Sequence, residues 1–218
     1  MRGSRGRSAH VSTTSNDTVR RLLREHGRTY SAEVGFDPTT NKPAPLFKLL
    51  VLSLLLSARI SADIATAAMR ALLDAGWTTP AHMADSTWEQ RTRVLNRSGY
   101  ARYDESTSRM LGETTELLLD RWRGDLRRLR EEARRDPEQE RALLREFKGI
   151  GDVGVDIFFR EVQPAWTELV PFVDERARRA GRDLDLPDDP ADLRGLVDSD
   201  DELARLVAAL VRHGLSAR

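Results

Sequence analysis

The run Phe147-Lys148-Gly149-Ile150-Gly151-Asp152-Val153-Gly154-Val155 sets two glycines, one apolar residue apart, between two segments that read as helices with apolar faces. Glycine has no Cβ, so backbone N–H groups at such a turn can crowd an anion that a side chain would hold off. Phe147 ahead of the turn, and Val153, Val155, Ile157 and Phe158 behind it, supply the apolar contacts that keep it rigid. The N–H groups around Gly149, Gly151 and Val153, with Ile150 between them and Lys148 adding a charge, are therefore expected to hold a phosphate. A plain helix–helix connection without a ligand is the competing reading. About one helix further on, the apolar run Leu169 to Val173 ends on a single carboxylate, Asp174.

Working outward, helix signals follow one another along the whole chain. Asn16 or Asp17 reads as the N-cap of a short helix ending at Gly27, and residues 1–15, rich in Ser, Gly, Arg and Thr, read as an unstructured tail. Pro45 opens a helix to about Ala58 that is apolar over most of its circumference, as a helix wrapped by others must be. Ser61 to Gly76 repeats Ile64, Ala67, Ala68, Ala71 and Leu72 at helical period. Ser86-Thr87-Trp88-Glu89 has capping-box spacing, and a long amphipathic segment runs from Tyr103 to Trp122. Helices are also expected over 138–147, 152–162, 175–181 and from Ser199 to about Gly214, with an acidic, proline-containing connector at 183–190. Alternating strands and internal repeats are missing, so the predicted class is all-α.

Composition removes several chemistries. With no cysteine there is no disulfide, thiolate zinc site, iron–sulfur cluster or cysteine nucleophile. His10, His26, His82 and His213 lie far apart without metal-ligand spacing, so no metal site is expected. Leu46–Leu56 is too short for a membrane span and is broken by Lys48 and Ser53, and the polar N-terminus lacks a signal-peptide core, which together predict a cytoplasmic protein. The formal charge is zero overall but divides as +4 over residues 1–45, +2 over 46–136 and −6 over 137–218, a balance that argues against non-specific coating of nucleic acid. The arginines from Arg121 to Arg130 alternate with acids and read as a salt-laced solvent face. The four tryptophans read as core or interface fillers.

The order of landmarks resembles the endonuclease III and helix-hairpin-helix DNA glycosylase superfamily over roughly residues 45–182. The landmarks are Leu54-Leu55-Leu56-Ser57-Ala58 at a helix end, Ser98-Gly99-Tyr100, the turn Gly149-Ile150-Gly151, and Val173-Asp174 with Arg176 behind it. The resemblance implies two helical lobes with double-stranded DNA across the cleft between them. One lobe is a six-helix barrel over 46–163 ending in a helix-hairpin-helix at 147–162; the other joins 16–45 to 164–218 and carries Asp174. It further implies a monomer, associated with the nucleoid, that flips a damaged base from the duplex and hydrolyses its N-glycosidic bond. Asp174 would stabilise the oxocarbenium-like sugar or activate water. Arg59 would fill the vacated base space, Tyr100 would wedge into the stack, and Arg102 and Tyr103 would flank the groove. A Na+ or K+ ion on the carbonyls of the Gly149–Gly151 turn is implied as well.

Three departures qualify the resemblance. Val153 stands where the bifunctional members place a lysine nucleophile, so any activity would be base excision without strand cleavage. The iron–sulfur loop is missing. Asp152 and Glu175 put negative charge beside the phosphate site and beside Asp174. A non-catalytic helix-hairpin-helix protein that senses DNA structure is therefore the alternative function, and a helical interaction scaffold a third. Residue by residue, Asp174 can also be read as an N-cap, Arg59 as a helix-end arginine and Tyr100 as a loop-packing aromatic.

Overall fold

The computed structural model describes residues 5–216, with side chains from residue 14 onward. Every regular element among them is helical: α1 (Arg5–His26), α2 (Tyr30–Val34), α3 (Pro43–Ser57), α4 (Ala62–Asp74), α5 (Pro80–Ala84), α6 (Trp88–Arg97), α7 (Asp104–Trp122), α8 (Leu126–Glu132), α9 (Pro137–Leu144), α10 (Asp152–Val162), α11 (Glu175–Arg182), α12 (Pro190–Arg194) and α13 (Asp200–Ser216). The chain is all-α, and no described helix is long and apolar enough to cross a membrane. It divides into two compact units, residues 30–168 and residues 1–29 with 169–218.

The 30–168 unit is built around α3. Leu46, Leu49, Leu50, Leu52 and Leu55 have no exposure at all, and burial of each such side chain contributes about 1.5–3 kcal/mol. Pro43 and Pro45 suit the first turn, where backbone N–H groups have no intrahelical partner anyway. α10 and α4 pack against α3, and α6 pairs with α7. The expected domain boundary at 45/46 falls instead at 29/30, and the cause is a buried carboxylate. Glu161 of α10 accepts the N–H groups of Tyr30 and Ser31 at 2.7 and 2.9 Å, and Asn41 accepts from the Trp166 indole at 3.3 Å, so residues 30–45 belong with α10.

In the other unit α1 and α11 pack on α13 around Val19, Leu22, Ala177, Leu206 and Leu210. α1 begins at Arg5, upstream of the expected cap at Asn16 or Asp17. No proline precedes Pro38, so no residue between 5 and 26 lacks the N–H that a helix needs, and the helix can extend through this stretch. Residues 1–4 of the expected tail lie outside the described residues. The capping box shifts by one residue: Thr87 caps α6 with Gln90, while Ser86 donates to the Met83 carbonyl at 2.5 Å. Of the tryptophans read as fillers, Trp122 and Trp166 are buried but Trp88 is 37% exposed.

Candidate functional site

The glycine turn lies between α9 and α10, as its sequence requires. Asp136 starts α9 by accepting the N–H groups of Glu138 and Gln139, and the chain leaves Leu144 through residues 145–151 into α10. Gly149 has φ +88°, a conformation L side chains rarely adopt, and a Cβ there would sit 2.6 Å from the Met110 sulfur. Ile150 is buried; its N–H donates to the Phe147 carbonyl at 3.0 Å and its side chain packs on Gly154, so it props the turn rather than facing outward. Phe147 is buried against Trp122, with ring centroids 5.4 Å apart.

Gly151 is the N-cap of α10 and offers no side chain to the helix end. Its φ of −100° is open to any residue, and a Cβ there would meet nothing within 4 Å. No acceptor among the described residues takes the N–H groups of Gly151, Asp152, Val153 or Gly154. Lys148, Gly149, Gly151, Asp152 and Val153 are all exposed. The Asp152 carboxylate is 3.5 Å from Arg145, so part of its negative charge is offset. Of the turn carbonyls, those of Phe147, Lys148 and Gly151 accept from the Ile150 N–H, the Thr114 hydroxyl and the Val155 N–H, so a cation on the Gly149 and Gly151 carbonyls would share one of them. Among the described residues no group of three or more His, Asp or Glu side chains is placed to hold a metal ion.

Beside the turn lies a cavity of about 430 Å³ whose wall includes Ser57 and Arg59 at the end of α3, Tyr100 and Tyr103 before α7, Met110, and Gly149. Three landmarks far apart in sequence thus meet at one surface. Arg59 is exposed at its rim, and Arg102 lies over the Tyr103 ring, 5.4 Å from its centroid. Tyr100 does not fit the wedge role. It is 1% exposed, its hydroxyl donates to the Leu55 carbonyl at 3.0 Å, and burial pushes its phenol up to about 12. It fastens the 98–103 loop to α3. Met110, which also lines the cavity, carried no functional signal of its own in the sequence.

Asp174 belongs to the other unit. It is 5% exposed and caps α11, its Oδ1 accepting from the Arg176 and Ala177 N–H groups at 3.0 and 3.3 Å. Glu175, the neighbouring acid, is bound by Arg182 at 2.6 Å and lies 3.7 Å from Arg178. In the same unit the rings of His26 and His213, dispersed in sequence, lie 5.8 Å apart. In the arginine-rich stretch Arg121 pairs with Glu132 and Glu146, and Arg127 with Asp125. Arg130 departs from a solvent face, pairing with Glu168 while only 11% of its side chain is exposed.

No protein-family profile, curated protein or solved structure matches this chain.

Proposed function

We propose that the chain is a DNA-binding base-excision enzyme: a monofunctional DNA glycosylase that grips duplex DNA through the 148–153 turn and uses the Asp174 carboxylate to hydrolyse the bond between a flipped, damaged base and its sugar. The observation that carries the DNA-binding part is the start of α10, where the four leading N–H groups have no acceptor among the described residues, exposed Lys148 stands alongside, and the side-chain-free Gly151 leaves approach open. Oriented amides and the positive end of a helix favour a phosphate. The adjoining cavity, with Arg59 at its rim, adds a recess for a nucleotide. Val153 lacks an amine, so no Schiff base forms and the sugar–phosphate backbone is left intact.

The test is release of free base from a panel of duplexes carrying alkylated, deaminated or oxidised bases. Asp174→Asn should abolish release while preserving the fold, because Asn is as good an N-cap as Asp. One observation favours the second reading, DNA binding without chemistry: the Oδ1 atom of Asp174 is occupied by helix-end amides. Salt-sensitive duplex binding with no base release from any lesion would select that reading. Lys148→Ala should then still lower the salt dependence of binding by about one ion.

A further inference from the structure

Buried polar groups in proteins are hydrogen-bonded, and Glu140 breaks that rule. It lies on α9 with no exposure, and neither carboxyl oxygen has a hydrogen-bonding partner in good geometry among the described residues. An ionised carboxylate in such a place is strongly disfavoured, so the group takes up a proton instead. Its neighbours push the same way. After burial, the Glu168 carboxylate contributes most to raising it, Arg130 opposes, and Asp136 adds a further upward push. Arg130 is already committed, because its Nε and Nη2 fork onto the two Glu168 oxygens at 2.6 and 2.5 Å. On the α10 side Arg141 is paired with Asp156 at 2.9 Å and lends no charge. Two carboxyl groups thus face one guanidinium.

We propose that Glu140 and Glu168 share a single proton, and that this proton locks α9, and with it the glycine turn, onto α8 and the Glu168 turn. The protonated Glu140 carboxyl donates to a Glu168 oxygen, and Arg130 neutralises the remaining negative charge. When the proton leaves for water, two carboxylates confront each other in a dry site with one cation between them. α9 is then released from that side. Leu144, one turn after Glu140 at the end of α9, and Phe147, in the turn that follows, are both buried, and the Phe147 N–H donates to the Leu144 carbonyl at 3.3 Å, so a shift of α9 carries Phe147 and the glycine turn with it. Burial and Glu168 hold the Glu140 carboxyl up at about 9, so the lock is closed at neutral pH and opens in mild alkali. The native state keeps a proton that the unfolded chain releases above 4.5, hence the unfolding constant rises with pH between 4.5 and 9 by up to about tenfold per unit. The consequence for DNA, weaker duplex binding above pH 9, rests on the function proposed above.

The proton is observed directly by carbon-13 NMR or infrared spectroscopy of the full chain at pH 7. The wild type should show one glutamic acid carboxyl in its neutral form, missing in Glu140→Gln; a Glu140 carboxyl titrating in the ordinary carboxylate range overturns the proposal. The lock is observed by hydrogen exchange. Protection of the 137–151 amides, corrected for intrinsic rates, should fall by up to about tenfold per pH unit as the pH rises from neutral towards 9 and level off above 9 in the wild type, and stay flat in Glu140→Gln. Equal slopes in the two proteins would overturn it. Glu140→Leu, which removes the acid without requiring a donor, should give the same flat profile. Failure to bind duplex DNA at any pH would refute the proposed function alone and leave the proton and exchange results standing.

Discussion

Gly149→Ala perturbs the turn in two separable ways. A backbone at φ +88° costs a residue with a Cβ about 1–2 kcal/mol, and the new methyl would sit 2.6 Å from the Met110 sulfur, an overpacking term of about 1–3 kcal/mol. The sum is about 2–5 kcal/mol. The next neighbour, Leu54 Cγ at 3.5 Å, is in ordinary contact and adds nothing. Repeating the substitution in a Met110→Ala background removes the clash and leaves the backbone cost, so Gly149→Ala should then cost only about 1–2 kcal/mol. Urea unfolding followed by tryptophan fluorescence reads this, since Trp122 packs directly on Phe147. A Gly149→Ala protein within about 0.5 kcal/mol of wild type would refute the geometry of the turn. A cost unchanged by Met110→Ala would refute the assignment of the clash.

Two further outcomes follow from the hydrogen bonds. Asp174→Ala removes the α11 cap and should cost about 0.5–2 kcal/mol in thermal or denaturant unfolding, whereas Asp174→Asn should be nearly neutral; equal losses in the two variants would mean that the cap does not stabilise α11. Tyr100→Phe deletes the buried hydroxyl that donates to the Leu55 carbonyl and should cost about 0.5–1.5 kcal/mol; a neutral effect would mean that this hydrogen bond does not fasten the loop to α3.

Periodicity and punctuation were enough to read the helical class and the longer helices, because α3, α4, α7, α10 and α13 each bury an apolar face large enough to mark the sequence. The short helices α2, α5 and α12, of five residues each, are too brief to show a period. The division of the chain was misread by sixteen residues at its first boundary, since what fixes residues 30–45 is Glu161, a single carboxylate 131 positions from the amide it accepts. Tyr100 was misread because an aromatic beside a glycine looks the same in sequence whether it points outward or is pinned to α3. Glu140 did leave a signal: it stands one helical turn before the apolar Leu144 on α9, and an acid in line with a buried apolar position marks a charge that must be paired or neutralised.

The two glycines of the turn answer to different demands. Gly149 is required by the fold, through its positive φ and through Met110. Gly151 is not, since its backbone is extended and the space around it is empty. The start of its helix is also unlike the others that lack a side-chain cap. α3 begins with Pro43 and Pro45, which have no N–H to satisfy, and in α7 the Asp104 carboxylate accepts the Glu105 N–H at 2.8 Å. α10 has neither device. If the exposed amides serve a phosphate, filling them from within must help the fold and harm the function. Gly151→Asp supplies the missing cap and a negative charge, so it should stabilise the protein by a few tenths of a kcal/mol and weaken duplex binding at low salt several-fold. Gly151→Ser should stabilise similarly with a smaller loss of binding. A Gly151→Asp protein that binds duplex as tightly as wild type would show that the phosphate lies elsewhere, and the reading of the turn as a cradle would fail with it.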